Sequence, residues 1–331
     1  MIQTSESDAE RKIITILKIL SQSSDPLGSI TIARKLEEEG IFLSERAVRY
    51  HLKIADERGY TQPLGRDGRQ LTGKGLEELR VALAPNNLTF IQEKLELLAF
   101  RTTFKPRTKT GLVAINTSLF KKEDFPKALK VMKIAFKAGL CVSDLVAIAE
   151  SGDKLGDVVV SKGKIGIATL CGVTVNGVLL KEGVPMESKF GGILEIRNYK
   201  PLRFTALINY GGTSLDPSEQ YIRARMTSVM EAAKTGNGRI LANFREIPAP
   251  ARSLVIETDA ALKKLGIKGI YYLGSVSEPV CQISVGINHV GIILIGGLNP
   301  IAAAVEAGFE VDNSAESGLI DFSQLTSVFK L

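Results

Sequence analysis

Ser44-Glu45-Arg46-Ala47-Val48-Arg49-Tyr50-His51-Leu52-Lys53-Ile54-Ala55 is the stretch that decides the N-terminal fold. Ser44 suits an N-cap, because its hydroxyl accepts from a first-turn amide, and Glu45 favours the positive end of the helix dipole. At helical spacing Ala47, Val48, His51, Leu52 and Ala55 share the inward face, leaving Arg46, Arg49, Tyr50 and Lys53 on or near the outward one. Upstream, Ile13, Ile14, Ile16, Leu17 and Leu20 mark a helix over 7–20. Ile32, Ala33 and Leu36 mark a second from about Thr31 to Glu39, closed by Gly40. Downstream, extended pieces over 59–64 and 69–72 flank Gly65-Arg66-Asp67-Gly68, and Thr72 caps a helix holding Leu76, Leu79 and Leu83. Three helices, a basic ribbon and a closing helix predict a winged helix-turn-helix over 1–84 that reads double-stranded DNA with its third helix. The expected DNA contacts are Ser44, Arg46, Arg49, Tyr50 and Lys53, with Arg66 and Arg69 at the ribbon tip reaching the phosphates. His51 is expected in the core.

Residues 85–110 read as a linker: a helix with Phe90, Ile91, Leu95 and Leu98, then a basic strand or loop over 101–110. Beyond it the sequence matches itself at an offset of 125–127 residues, pairing Asn116 with Asn243, Cys171-Gly172 with Gly296-Gly297, and Gly192-Ile193-Leu194-Glu195-Ile196 with Gly318-Leu319-Ile320-Asp321-Phe322. The expected fold class is therefore α+β or α/β. An N-terminal winged helix is followed, over 111–331, by an internally duplicated β-α-β-β-α-β domain, the part in which effector-binding and oligomerisation surfaces are sought below. Its copies span about 111–198 and 239–322 and are joined by a central strand and helix over 202–235. Asp216 and Pro217 open that helix, which is expected to run to about Lys234.

The chain has 331 residues and 42 Lys and Arg against 36 Asp and Glu, a net charge of +6. By segment, 1–84 balances 13 basic against 13 acidic residues, whereas 101–137 holds 10 basic against Glu123 and Asp124. The excess thus lies outside the expected DNA reader, whose case rests on the local placement of its arginines. Cys141, Cys171 and Cys281 are widely spaced and only His51 and His289 accompany them, so neither a disulfide framework nor a metal site is expected. No leader or membrane-spanning run is apparent, and a cytoplasmic location is expected.

Glycine-rich junctions that open onto helices offer amides and a positive dipole end to an anion. Three occur: Cys171-Gly172, Gly296-Gly297 and Gly211-Gly212-Thr213-Ser214. Arg223 and Arg225 on the central helix would add carboxylate recognition, and His289 is grouped with these candidate effector contacts. No phosphate-binding or dinucleotide fingerprint is present, so no cofactor is expected. Cys281 and His289 are a conceivable nucleophile and base, and Glu187 and Asp312 a conceivable acid pair. Without a nucleophile elbow or similar motif no catalytic residue is assigned.

The winged helix, Lys105-Pro106-Arg107-Thr108-Lys109-Thr110-Gly111 leading to Asn116, Gly172-Val173-Thr174-Val175-Asn176-Gly177, Lys189-Phe190-Gly191-Gly192 and Gly211-Gly212-Thr213-Ser214-Leu215-Asp216-Pro217 together resemble the NrpR family of archaeal nitrogen-regulation repressors. The resemblance covers nearly the whole chain. It implies a repressor, not an enzyme, that binds operators of nitrogen-assimilation genes as a dimer or higher oligomer. It also implies that 2-oxoglutarate, binding to the C-terminal domain, lowers DNA affinity. One C-terminal domain is present where some members carry two, which leaves open a second family subunit as partner. The competing readings are an enzyme acting on a small carboxylic acid with a fused winged helix, and an adaptor using both halves for protein contacts.

Overall fold

The computed structural model describes residues 2–21, 23, 25–38, 40–86 and 90–331. The expected helix end at Glu39, the opening at Asn87 and the side chains of Arg66 and Leu83 lie outside the described part. The chain divides into two compact units, 1–89 and 90–331.

In the first unit, α1 (Ile2–Ser21), α2 (Ser29–Glu38) and α3 (Glu45–Glu57) are followed by the ribbon β1 (Thr61–Pro63) and β2 (Arg69–Leu71) and by α4 (Gly73–Asn86). Ile16, Ile19, Leu20, Ile32, Leu36, Val48 and Leu52 form the main core. Ile13, Leu17, Ala55 and Leu79 form a smaller one under α4. The caps are those the sequence predicts. Ser44 Oγ accepts from Ala47 N at 3.3 Å, and Thr72 Oγ1 accepts from Gly75 N at 3.0 Å. Leu27 and Arg69 exchange both backbone hydrogen bonds at 3.0 Å, adding a third strand position to the wing. A side chain at Gly68, φ +110°, would stand 2.4 Å from the Leu27 backbone, so only glycine permits that approach.

The second unit runs α5 (Ile91–Arg101), β3 (Leu112–Lys121), α6 (Phe125–Lys137), β4 (Leu145–Ala149), the short hairpin β5 (Lys154–Leu155) and β6 (Val158–Val159), β7 (Lys164–Leu170), α7 (Val173–Lys181) and β8 (Glu187–Arg197). Then follow β9 (Lys200–Asn209), α8 (Pro217–Arg223), α9 (Val229–Thr235), β10 (Gly238–Pro248), α10 (Arg252–Lys263), β11 (Ile270–Val276), β12 (His289–Ile295), α11 (Asn299–Glu306), β13 (Asp312–Asp321) and β14 (Thr326–Ser327). One five-stranded sheet has the order β13-β3-β7-β4-β14 and the other β11-β12-β10-β8-β9. All pairing is antiparallel, which makes the unit α+β and removes the α/β alternative. The last strand of each half crosses over: β8 pairs with β10, and β13 pairs with β3. One continuous core of residues from both sheets and their helices results.

Two expectations are corrected. The helix read as a linker is part of the second unit, because Ile91, Leu95, Leu98 and Ala99 are buried against Ala114, Cys171, Val173 and Tyr210. The central helix is two helices, broken where Arg225 takes φ +52°. Glu306, reaching across from α11, accepts from Thr227 Oγ1, Val229 N and Met230 N at 2.6, 2.7 and 2.9 Å and so starts α9 afresh.

Candidate nucleic-acid interface and effector site

On α3, Val48, His51, Leu52 and Ala55 are buried, and Arg46, Arg49, Tyr50 and Lys53 are exposed along one stripe. Helical spacing alone places them so. Arg49 Nη2 bonds Glu45 Oε1 at 2.6 Å and its Nε donates to Ser29 Oγ at 3.2 Å, which ties the start of α2 to α3 while leaving the guanidinium mostly in solvent. Lys53 stands 3.9 Å from Glu57 on the helix surface. Ser44 serves as the cap. Arg69 departs from the expectation. It is not at the ribbon tip but in β2, its Nε donating to Asp56 Oδ2 at 2.8 Å at the end of α3, where Asp56 also accepts from Thr61 Oγ1 at 2.5 Å. This partly buried cluster fixes the wing against the third helix.

In the second unit the two equivalent glycine junctions share a backbone scheme. Cys171 N donates to Ala114 O, and Gly296 N to Leu241 O, both at 2.9 Å. Three residues further on, Thr174 clamps the N–H and C=O of Ala114, each at 3.0 Å, as Asn299 clamps those of Leu241 at 2.8 and 3.0 Å. Their free space differs. A side chain at Gly297 would stand 2.2 Å from Leu170 O, and one at Gly296 2.6 Å from Leu241 Cβ, so the Gly296-Gly297 junction is closed by close packing and offers no ligand room. At Gly172 the nearest atoms are Leu294 Cδ1 at 3.7 Å and Asn243 Nδ2 at 3.9 Å. These are ordinary van der Waals distances, so the junction at the start of α7 would accept a methyl group where the other would not.

The remaining effector candidates fall apart spatially. Gly211 and Gly212 are exposed in a turn held by Asn209, whose Oδ1 accepts from Gly211 N at 2.8 Å. Thr213 is occupied with Leu215, and no bond of Ser214 enters the arrangement. Arg223 and Arg225 line a different cleft of about 510 Å³ with Glu219, Phe309, Glu310 and Asp312, and neither Cys171 nor Gly172 borders it. His289 begins β12, its Nδ1 2.9 Å from Ile287 O.

Beside Cys171 and Gly172 lies a buried polar cluster that sequence reasoning missed. Tyr210 is buried, and its hydroxyl donates to Asn243 Oδ1 at 2.5 Å. The Arg245 guanidinium lies over the Tyr210 ring at 4.8 Å. Arg245 is 1 % exposed, and its Nε and Nη1 have no hydrogen-bond partner. The carboxyls of Asp216 and Glu316 are both buried and neighbour one another. Burial, then the charge of Asp216, pushes Glu316 well above the usual carboxyl range. Lys94 stands 4.0 Å from Glu316 and donates to Ala315 O at 2.8 Å. Asp216 also caps α8, accepting from Glu219 N at 2.9 Å. The sequence signal for Arg245 is its place, with Glu246, inside the otherwise mostly apolar stretch Ile240–Ile247, in phase with Asn243.

Residues 88–327 match the family described as NrpR regulatory domains NRD1 and 2, and residues 14–79 match the Ribonuclease R winged-helix domain. The chain belongs to the NrpR family. It is 40% identical to the global nitrogen regulator NrpRI of Methanosarcina mazei over 96% of this chain and 98% of that one. It is 32% identical to the global nitrogen regulator NrpR of Methanococcus maripaludis over 94% of this chain, and spans 54% of that relative's length. A solved nitrogen repressor-like protein from Methanococcus jannaschii, 30% identical, superposes with a TM-score of 0.62 over 72% of this chain and 99% of its own.

NrpR relatives are named as regulators, which sets the enzyme reading aside. The thiols agree with that. Burial raises all three above the ordinary value, Cys141 to about 12, the reverse of an activated nucleophile. Among the described residues no cluster of metal-ligating side chains forms, and no helix is long and apolar enough to cross a membrane.

Proposed function

We propose that this NrpR chain represses nitrogen-assimilation genes by binding their operators through α3, and that 2-oxoglutarate bound to the second unit releases it. The observation that carries the first half is the exposed stripe of Arg46, Arg49, Tyr50 and Lys53 on the third helix of a winged helix. What supports the second half is a regulatory domain with a helix N-terminus lacking a side-chain cap beside a buried, unpartnered guanidinium, groups of the kind that attract a small dianion. A ligand weakens DNA binding only if it prefers the low-affinity arrangement of the protein. A homodimer on a palindromic operator, with half-sites about one helical turn apart, fits one recognition helix per chain, and a second family subunit is the alternative partner.

A gel-shift titration with full-length protein tests both halves. Arg46→Ala and Arg49→Ala are each expected to weaken operator binding and to lower the salt slope by about 1, the signature of a lost phosphate contact. Adding 2-oxoglutarate is expected to shift the titration to weaker binding. Unchanged slopes would remove the α3 assignment, and an unchanged titration would remove the effector.

A further inference from the structure

We infer that the tight loop Lys105–Thr110 of the second unit is a further contact surface for DNA, one that holds phosphates without reading sequence. The inference goes beyond the α3 assignment and rests on it only for the presence of a duplex.

The positive excess of the chain gathers over 101–137, and DNA reading through α3 leaves it unexplained. Part of it is answered locally. Lys121 and Lys122 pair with Glu310 and Glu150 at 2.7 and 3.3 Å. Arg101 lies in the last turn of α5, where the helix dipole favours a cation, and Lys133 donates to Leu331 O at 3.0 Å. Lys105, Arg107 and Lys109 have no such answer. All three are exposed, and among the described residues their side chains make no ion pair and no hydrogen bond. Two acids stand near the loop. Glu182 lines a cleft with Lys105 and Arg107, and Asp321, opposite Leu112 at the base, is bonded to Ser323 instead.

Three like charges within five residues repel one another, yet the fold holds them on a fixed frame. Lys105 N donates to Thr110 O and Lys109 N to Lys105 O, each at 2.9 Å. The hydroxyls of Thr108 and Thr110 bond at 2.8 Å. Buried Phe104 anchors the base against Phe322, ring centroids 4.4 Å apart. A side chain at Gly111, φ +109°, would stand 2.4 Å from Thr103 O, so the returning chain closes tightly. Lys109 takes φ +57°, a conformation that glycine or asparagine enters more easily. A lysine there keeps a charge where another residue would serve the turn better.

The alternation of cations and hydroxyls in Lys105-Pro106-Arg107-Thr108-Lys109-Thr110 supplies donors of the kind that phosphate oxygens accept from, whatever the base sequence. A duplex is the polyanion that the winged unit brings to this chain. The loop follows α5 directly, so one 11-residue helix, about 16 Å long, separates it from the point where the chain enters the second unit.

The test is the salt dependence of DNA binding by the full-length chain, measured on an operator fragment and on an unrelated duplex of equal length. The triple change Lys105→Gln, Arg107→Gln and Lys109→Gln is expected to lower the slope by about 2 to 3 per bound chain on both duplexes, with Tm unchanged. Lys127→Gln, Lys130→Gln and Lys137→Gln remove the same net charge from exposed positions spread along α6, and are expected to leave the slope at the wild-type value. A wild-type slope in the loop variant, or equal drops in the two triples, overturns the proposal. Should the loop triple unfold early, Arg107→Gln alone decides: a drop of about 1 at wild-type Tm supports the contact and no drop overturns it. Loss through Arg46→Ala and Arg49→Ala with an unchanged loop variant removes the loop and keeps α3. The reverse pattern keeps the loop and removes α3, and a wild type that binds neither duplex removes both.

Discussion

The two halves of the regulatory unit use one backbone plan to build two different interiors. Asn116 on β3 and Asn243 on β10 occupy corresponding positions, and each faces the helix N-terminus delivered by the opposite sheet. In the first half Asn116 is buried and its Oδ1 accepts from Glu316 N at 3.1 Å, and two residues on Ser118 donates to Asn313 Oδ1 at 2.8 Å. Both of these bonds join neutral groups, and the glycine opposite is packed shut. In the second half Asn243 takes the Tyr210 hydroxyl, two residues on stands Arg245 with Nε and Nη1 unpartnered, and a Cβ at the glycine opposite would meet only ordinary van der Waals contacts. A repeated frame therefore gives one structural joint and one candidate site. Which is which is set by side chains that the frame leaves free to vary.

Substitution at the glycines separates the two most sharply. Gly297→Ala drives a Cβ to 2.2 Å from Leu170 O and 2.7 Å from Asn116 Nδ2, contacts that the backbone must yield to, and is expected to cost about 3 kcal/mol. Gly172→Ala meets nothing nearer than 3.7 Å and is expected to change stability by less than about 0.5 kcal/mol. Urea unfolding of both variants decides it, and equal losses would break the distinction. The asparagines should follow with smaller effects. Asn116→Ala strands the buried Glu316 amide and is expected to cost about 2 kcal/mol. Asn243→Ala, at a partly accessible position, is expected to cost about 1 kcal/mol in the same measurement.

Much of this frame is legible in the chain itself. Apolar periodicity and the caps at Ser44 and Thr72 locate the helices of the winged unit, because both signals are local. The 125–127 spacing brings together Asn116 and Asn243, and Thr174 and Asn299, which make parallel bonds. What it cannot reveal is the crossing of β8 and β13, since antiparallel pairing between elements this far apart in the chain leaves no local trace. Arg69 was misplaced for the same reason: its partner Asp56 lies 13 residues back on another element. Equal glycines promised equal sites, and only the neighbours Leu170 and Leu241 show that one of them is filled. Arg245 was visible as a charge in an apolar strand, but its lack of a partner is a property of the folded interior alone.

Titration gives the finest distinction between the halves. Where β13 shifts register against β3, Glu316 sits at φ +45° facing Asp216, Lys94 and Glu219, its carboxyl pushed well above the usual range by burial. Where β8 shifts register against β10, Phe190 stacks on Phe244. A carboxyl raised in the folded chain keeps a proton that the unfolded chain loses above about 4.3. Stability is therefore greatest at or below that pH and falls as pH rises toward the folded-state value. Glu316→Gln keeps a donor toward Asp216 and cannot ionise. It is expected to unfold at a higher temperature than wild type at pH 8, with the gap closing as pH falls toward 4.5. Phe190→Leu, by contrast, is expected to shift stability by the same amount at every pH in that range. A Glu316→Gln chain whose difference from wild type is also constant with pH would show that the Glu316 carboxyl is not raised by burial.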